Sequence, residues 1–166
     1  MTDVAADSAG IVDNVDSTDD MIQTPWKDME QMVATFKIQA KVIEYGGDHV
    51  NIEDITPKSL IKYPFLSKPY SLCVARAQSD NNLHLLIESF KGLPEKNLVI
   101  ISNWNVSKYG QELREKNSAI ENVNLVSAVY DKYDLDIIRS NAKLYIHSHS
   151  ECGTAPSLVE AMNYNI

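Results

Sequence analysis

The sequence predicts a doubly wound α/β fold, in which helices cover both faces of a parallel β-sheet. Short apolar runs alternate along the chain with segments of helical periodicity, which indicates βαβ units. Most of these runs are apolar at successive positions rather than at every second one, as expected of strands buried on both faces. Right-handed crossovers between such strands give a Rossmann-like sheet.

The first elements lie between residues 41 and 92. A β-rich run at residues 41–45 (KVIEY) is followed by a strand at residues 71–75 (SLCVA). We predict a loop between them, because three prolines interrupt it: Pro57, Pro64 and Pro69. A helix follows the strand, since four large apolar side chains recur at helical spacing before Gly92 and Pro94: Leu83, Leu86, Ile87 and Phe90.

Two further strand–helix pairs follow. The strand at residues 97–102 (NLVIIS) precedes a polar helix at residues 107–116. The strand at residues 124–129 (NLVSAV) precedes a helix for which Asp131 is the predicted N-cap, with Asp134 three residues later.

The last predicted pair is a strand at residues 144–147 (LYIH) and a helix that begins near Pro156. Proline suits the first helical turn because its missing N–H would be unpaired there in any case.

Composition and charge exclude several classes of protein. Fifteen basic against 23 acidic residues leave a net charge of −8, which argues against a nucleic-acid groove or an anionic membrane surface. No apolar run approaches the roughly 20 residues of a membrane helix. Two cysteines are too few for a disulfide framework or a zinc cluster. We therefore expect a soluble, cytoplasmic domain.

Two loops should carry the ligand site, because doubly wound sheets bind ligands outside the carboxyl ends of their strands. These loops are residues 75–82 and 147–156. In the second loop, Gly153 and Thr154 precede a helix whose free amides and positive dipole end favour a phosphate. Arg76, in the first loop, could pair with the same phosphate bidentately.

Residues 145–162 (YIHSHSECGTAPSLVEAM) resemble the C-terminal, nucleotide-sugar-binding domain of group 1 (family 4) glycosyltransferases, which have the GT-B fold. Within that family they are similar to the bacterial rhamnosyltransferase-like subgroup. The resemblance extends to residues 74–76, to residues 80–90 (DNNLHLLIESF) and to the interdomain-like residues 45–48 (YGGD). Residues 6–8 resemble the end of a preceding N-terminal domain.

The resemblance implies sugar transfer from a nucleotide diphosphate sugar to a glycan or lipid-linked acceptor, in bacterial surface polysaccharide synthesis. It implies retained anomeric configuration, no metal and no cofactor beyond a UDP- or dTDP-sugar donor. Glu151 and His149 would lie near the transferred sugar, as candidate catalytic residues. The implied donor-binding residues, of which the last binds the ribose, are Arg76, Asn81, Gly153, Thr154 and Glu160.

Three positions depart from the family pattern, and one of them is Ser127, where many relatives have glycine. Eight residues separate Glu151 from Glu160, whereas the family has seven between its two glutamates, so the usual position of the first is Cys152. Either Glu151 takes that role through a lengthened loop or the role is absent. Asn81 stands where the family usually has a phosphate-contacting lysine, although the rhamnosyltransferase-like subgroup often has asparagine there.

The expected domain organisation follows from the same resemblance. Residues 1–40 would be the end of a preceding domain and the interdomain segment, and residues 41–166 the donor-binding domain. We expect the chain to be a fragment of a longer protein and inactive alone. Two alternatives remain open at this stage: a non-catalytic nucleotide-binding or protein-interaction domain, and half of a nucleotide-sugar epimerase.

Overall fold

The structure is a computed structural model of the chain and describes residues 46–150, 155–164 and 166. All of these belong to one compact unit, residues 44–166. The predicted strand at 41–45 and the predicted N-terminal segment 1–40 lie outside the described residues. So do four residues of the predicted binding loop: Glu151, Cys152, Gly153 and Thr154.

The described strands form one parallel sheet. They are β1 (Tyr70–Val74), β2 (Asn97–Ser102), β3 (Val123–Ser127) and β4 (Leu144–Tyr145). Their order across the sheet is β3-β2-β1-β4, and every neighbouring pair is parallel. The chain therefore winds outward from β1 to β3 and then returns to place β4 on the other side of β1. The strand order reverses beside β1, where doubly wound sheets bind their ligands.

Five described helices accompany the sheet, and the four predicted ones are confirmed. They are α1 (Pro57–Lys62), α2 (Leu83–Lys91), α3 (Lys108–Asn117), α4 (Lys132–Ser140) and α5 (Pro156–Asn163). Asp131 caps α4 as predicted, its carboxylate accepting from the Asp134 amide at 2.9 Å. Pro156 lies in the first turn of α5. Within the described ranges, no helix has both the length and the apolar character required to cross a membrane.

The prediction of a loop across the three prolines was wrong. Residues 57–62 form α1, and Pro64–Ser67 form a short 3-10 helix. Thr56 and Ser59 make a reciprocal capping box, in which each side chain accepts from the other residue's amide. Pro57 lies in the first turn, where it costs no hydrogen bond. The proline therefore begins a helix here rather than preventing one.

Three predicted strands end earlier than expected, and β1 ends at Val74, one residue before the predicted end. β3 ends at Ser127 because its partner β2 ends at Ser102, the residue opposite, so no ladder remains to extend. β4 ends at Tyr145, and the Ile146 amide makes one more bond to the Leu72 carbonyl at 2.8 Å. Beyond it, the chain hydrogen-bonds to the loop after β1 instead of the sheet.

Apolar side chains bury both faces of the sheet, which confirms the Rossmann-like prediction. Leu98 and Ile100 of β2 pack on one face with α2, whereas Val99 and Ile101 pack on the other face with α4. These side chains are nearly inaccessible to solvent, and each contributes about 1.5–3 kcal/mol of hydrophobic stabilisation. The two cores hold the strand ends rigid, and the candidate site lies at those ends.

Candidate functional site

A cleft of about 370 Å³ lies at the carboxyl edge of the sheet. Its walls come from the ends of three strands, at residues 74–76, 101–103 and 128–130, and from Ser157 in the first turn of α5. The cleft thus combines β1, beside which the strand order reverses, with a helix N-terminus. Both features favour an anionic ligand in this fold.

Arg76 supplies a cation to this cleft. It follows β1 by two residues, is exposed, and forms no ion pair with a described acidic side chain. Its backbone is fixed, because the Asn81 amide group donates to the Arg76 carbonyl at 2.7 Å. The guanidinium is therefore available to a ligand while its main chain is held. Asn81 itself is buried, and the described contact of its side chain is with this loop.

The two predicted ligand loops are joined by hydrogen bonds. The Ser148 hydroxyl donates to the Asn81 carbonyl at 2.6 Å, and the Ser150 amide donates to the Asp80 carbonyl at 3.1 Å. Asn82 donates to the Ser148 carbonyl at 3.0 Å and to the Ser150 hydroxyl at 2.6 Å. Each such bond stabilises by about 0.5–1.5 kcal/mol, so the pairing of the loops does not depend on a ligand.

Backbone conformation helps Asn82 make these contacts. Its φ of 50° lies in the left-handed region, which asparagine tolerates better than most other residues. The residue ends the short 3-10 turn at Ser79–Asn81 and begins α2.

His147 and His149 lie together at the end of β4. Their rings are 4.2 Å apart between centroids, at a steep angle. Partial burial, and next the positive charge of His147, lower the pKa of His149. Asp80 opposes this shift, and Arg76 adds to it. His149 therefore senses the charges of Arg76 and Asp80 as well as His147. The other candidate catalytic residue, Glu151, lies outside the described residues.

Glu160 lies on α5, one turn after Ser157, and its carboxylate has two basic partners. Arg139 of α4 contacts Oε2 at 2.6 Å, and His49 contacts Oε1 at 2.9 Å. Residues three apart on a helix share a face, so Glu160 lies on the same side of α5 as the cleft residue Ser157. This glutamate was predicted from the sequence, but its partners were not.

A second polar network, centred on the buried Asp136, also joins α4 to the end of α5. Tyr164 donates to Asp136, which also accepts from Lys132 at 2.5 Å and from Asn51 at 3.4 Å. Burial favours a raised pKa for Asp136, but the bonds from Lys132 and Tyr164 outweigh it and hold that pKa below its ordinary value. The network joins the segment before α1 to α4 and to the end of α5.

Sequence reasoning did not identify Asn103, Ser157, His49 or Arg139. Asn103 directly follows β2, and its side chain accepts from the Ala77 amide at 2.9 Å. The strand-end rule that pointed to Arg76 could have found it. His49 had no such signal, because 111 residues separate it from Glu160.

Cys73 is a nucleophile by residue type, but its thiol is inert. Cys73 lies in β1 near Ser148, and burial raises its pKa to about 11, so the thiol stays protonated.

Comparison with known proteins places the chain in a family. Residues 58–166 match the family model for glycosyl transferases group 1. The chain belongs to this family. The activity of this family is the transfer of a sugar, and its members have a sugar donor and an acceptor as partners. The match begins in α1 and includes the strand ends, Arg76 and all of α5. No curated protein sequence matches the chain.

Proposed function

We propose that the cleft holds the diphosphate of a nucleotide sugar, and that the chain is the donor-binding part of a glycosyltransferase. The observation that carries this proposal is that Arg76 and the first turn of α5 line one cleft. A guanidinium and a helix N-terminus both stabilise phosphate oxygens, and the same contacts would stabilise charge on the departing phosphate during transfer.

We place the ribose on Glu160 and the sugar near His149. Glu160 lies one turn along α5 from the proposed phosphate position, and its Oε1 contacts the exposed His49, whereas its Oε2 contacts the buried Arg139. A carboxylate oxygen of this kind accepts hydrogen bonds from sugar hydroxyls. The His149 imidazole would lie beside the sugar, where its ring nitrogens are of a type that hydrogen-bonds to hydroxyls. The resemblance alone supports three further assignments. Gly153 and Thr154 would contact the diphosphate, and Glu151 would lie near the sugar.

Asn81 takes a supporting part in this account. Its amide group orients the Arg76 main chain and so positions the phosphate-binding cation indirectly. We assign the direct phosphate contacts to Arg76, to the start of α5 and, from the resemblance, to Gly153 and Thr154.

The finer assignments rest on the resemblance to the rhamnosyltransferase-like subgroup. They are a UDP- or dTDP-sugar donor, a glycan or lipid-linked acceptor, retained configuration without a metal, and a cytoplasmic role in bacterial surface polysaccharide synthesis. We propose that the acceptor is bound by a preceding domain, of which residues 1–40 would be the end.

Calorimetric titration of the chain with UDP, dTDP and GDP tests the proposal. We expect at least one of them to bind, and Arg76→Ala to weaken that binding about tenfold to a hundredfold, the effect of losing charge-assisted hydrogen bonds. The melting temperature should barely change, because Arg76 is exposed. Arg114→Ala on α3 removes the same charge away from the cleft and should bind normally. Absence of binding by all three nucleotides, or equal loss in both variants, would contradict the proposal.

A further inference from the structure

The two oxygens of Glu160 are held with different strength. The Arg139 side chain is 5% exposed and that of His49 is 55% exposed, while the Glu160 side chain between them is 18% exposed. Removing a carboxylate from a buried arginine leaves an uncompensated charge, whereas an exposed pair contributes little. The contact of Oε2 with Arg139 is therefore durable, and the contact of Oε1 with His49 is exchangeable.

Arg139 depends on this contact. Its Nε has no hydrogen-bond partner among the described residues, although the side chain is almost fully buried. Glu160 is thus its one acidic partner within the described part of the chain. The arginine fixes the carboxylate in place and leaves Oε1 directed away from it, toward His49.

His49 reaches Oε1 because its segment lies directly on α5. A side chain at Gly47 would place its Cβ 2.0 Å from Nδ2 of Asn163 and 3.1 Å from the Val159 carbonyl. Glycine at this position therefore permits the approach. An ionised carboxylate can only accept, so the His49 ring donates its Nε2–H to Glu160. A ribose hydroxyl would donate to the same oxygen.

We propose that His49 is an affinity-determining residue that competes with the nucleotide for Glu160. This inference rests on the proposed function, since it takes a ribose hydroxyl as the competing donor. Without nucleotide, His49 satisfies Oε1. When a nucleoside diphosphate binds, its ribose hydroxyl replaces the imidazole, and His49 leaves α5. Arg139 keeps Oε2 throughout, as a positioning residue.

His49→Ala tests this competition, with UDP and inorganic pyrophosphate as probes and calorimetry as the measurement. We expect the variant to bind UDP about two- to fivefold more tightly, because the nucleotide no longer displaces a weak, exposed contact. Affinity for pyrophosphate, which has no ribose, should not change. The control is His84→Ala, whose histidine is exposed on α2 and contacts Tyr109, and which should bind both probes normally.

A second measurement follows His49 directly. In the unmodified chain, saturation with UDP should shift the ring signals of His49 in NMR spectra, whereas pyrophosphate should leave them in place. Equal or weaker UDP binding by His49→Ala, or unmoved ring signals, would overturn the inference.

Glu160→Gln separates failure of this inference from failure of the proposed function. The proposed function predicts that this variant loses UDP affinity but keeps its affinity for pyrophosphate. If it does so while His49→Ala fails to gain affinity, only the competition is wrong. If Glu160→Gln binds UDP normally, the ribose assignment is wrong and the competition with it.

Discussion

The pKa of His149 reports the charged residues around it. Its pKa is lowered by partial burial and by His147, lowered further by Arg76, and raised by Asp80. We predict that Arg76→Ala raises this pKa and that Asp80→Asn lowers it, as measured by NMR titration of the ring. Arg114→Ala should leave it unchanged. If neither Arg76→Ala nor Asp80→Asn moved the pKa, these charges would not lie close to His149.

The lowered pKa of His149 also determines the direction in which stability changes with pH. Because the pKa of His149 is lower in the folded chain, the unfolded chain binds more protons between the two values. The contribution of His149 to the free energy of unfolding is complete above its pKa in the unfolded chain. It is lost as the pH falls toward its pKa in the folded chain. Asp80→Asn should widen the pH range between the two pKa values of His149.

Site residues differ in how far the sequence predicts them. Arg76 was predictable, because it directly follows an apolar strand and the carboxyl ends of parallel strands meet at one edge. The partners of Glu160 were not. Arg139 lies on another helix and His49 lies before the first described helix, and only tertiary packing brings the three together.

At the scale of elements, Asn82 holds the loop after β4 against the loop after β1. Asn82→Gly keeps the left-handed backbone but removes both side-chain bonds. We predict faster hydrogen exchange at the Ser150 amide, which donates to Asp80, with little added exchange in β2. Asn82→Ala should lower the free energy of unfolding by about 1–2 kcal/mol more than Asn82→Gly, because a Cβ at positive φ strains the backbone. Unchanged exchange at Ser150 in the glycine variant would show that Asn82 does not join the loops.

The pairing of α4 with α5 depends on Arg139 and Glu160. We predict that Arg139→Met lowers the free energy of unfolding by about 3 kcal/mol, at the low end for buried pairs because Glu160 is partly exposed. The double variant with Glu160→Gln should lose less than the sum of the two single variants, since no unpaired charge remains. Urea unfolding measures all three. Additive losses would mean that the two side chains do not interact.

Some helices and strands were predicted correctly from the sequence and others were not, and the reason differs from one to the next. α2 and α4 were predictable because four apolar positions at helical spacing mark the one and an aspartate cap marks the other. α1 was missed because its prolines were taken as breakers, although Pro57 occupies a first turn. The end of β4 could not be foreseen, since it depends on bonds that residues 148–150 make to a distant loop.

At the scale of the whole molecule, the described cleft is an open surface. Its rim includes the exposed side chains of Arg76 and Tyr130, the latter 89% accessible. Transfer without hydrolysis requires exclusion of water and a positioned acceptor. We therefore predict that residues 1–166 bind a nucleoside diphosphate but transfer no sugar from UDP- or dTDP-sugars. Chromatography of incubated donor and acceptor checks this, and measurable transfer by this chain alone would contradict it.

The proposed ligand position is the carboxyl edge of the sheet, between Arg76 and α5. Mapping the amide shifts of the chain by NMR during titration with UDP tests it most directly. We expect the shifted amides to cluster at the cleft, in residues 74–78, 101–103, 128–130 and 157–160. The opposite edge offers a matched comparison, since the groove near Lys96 and Lys143 also carries positive charge. Shifts concentrated at that groove, with the cleft amides unmoved, would contradict the account.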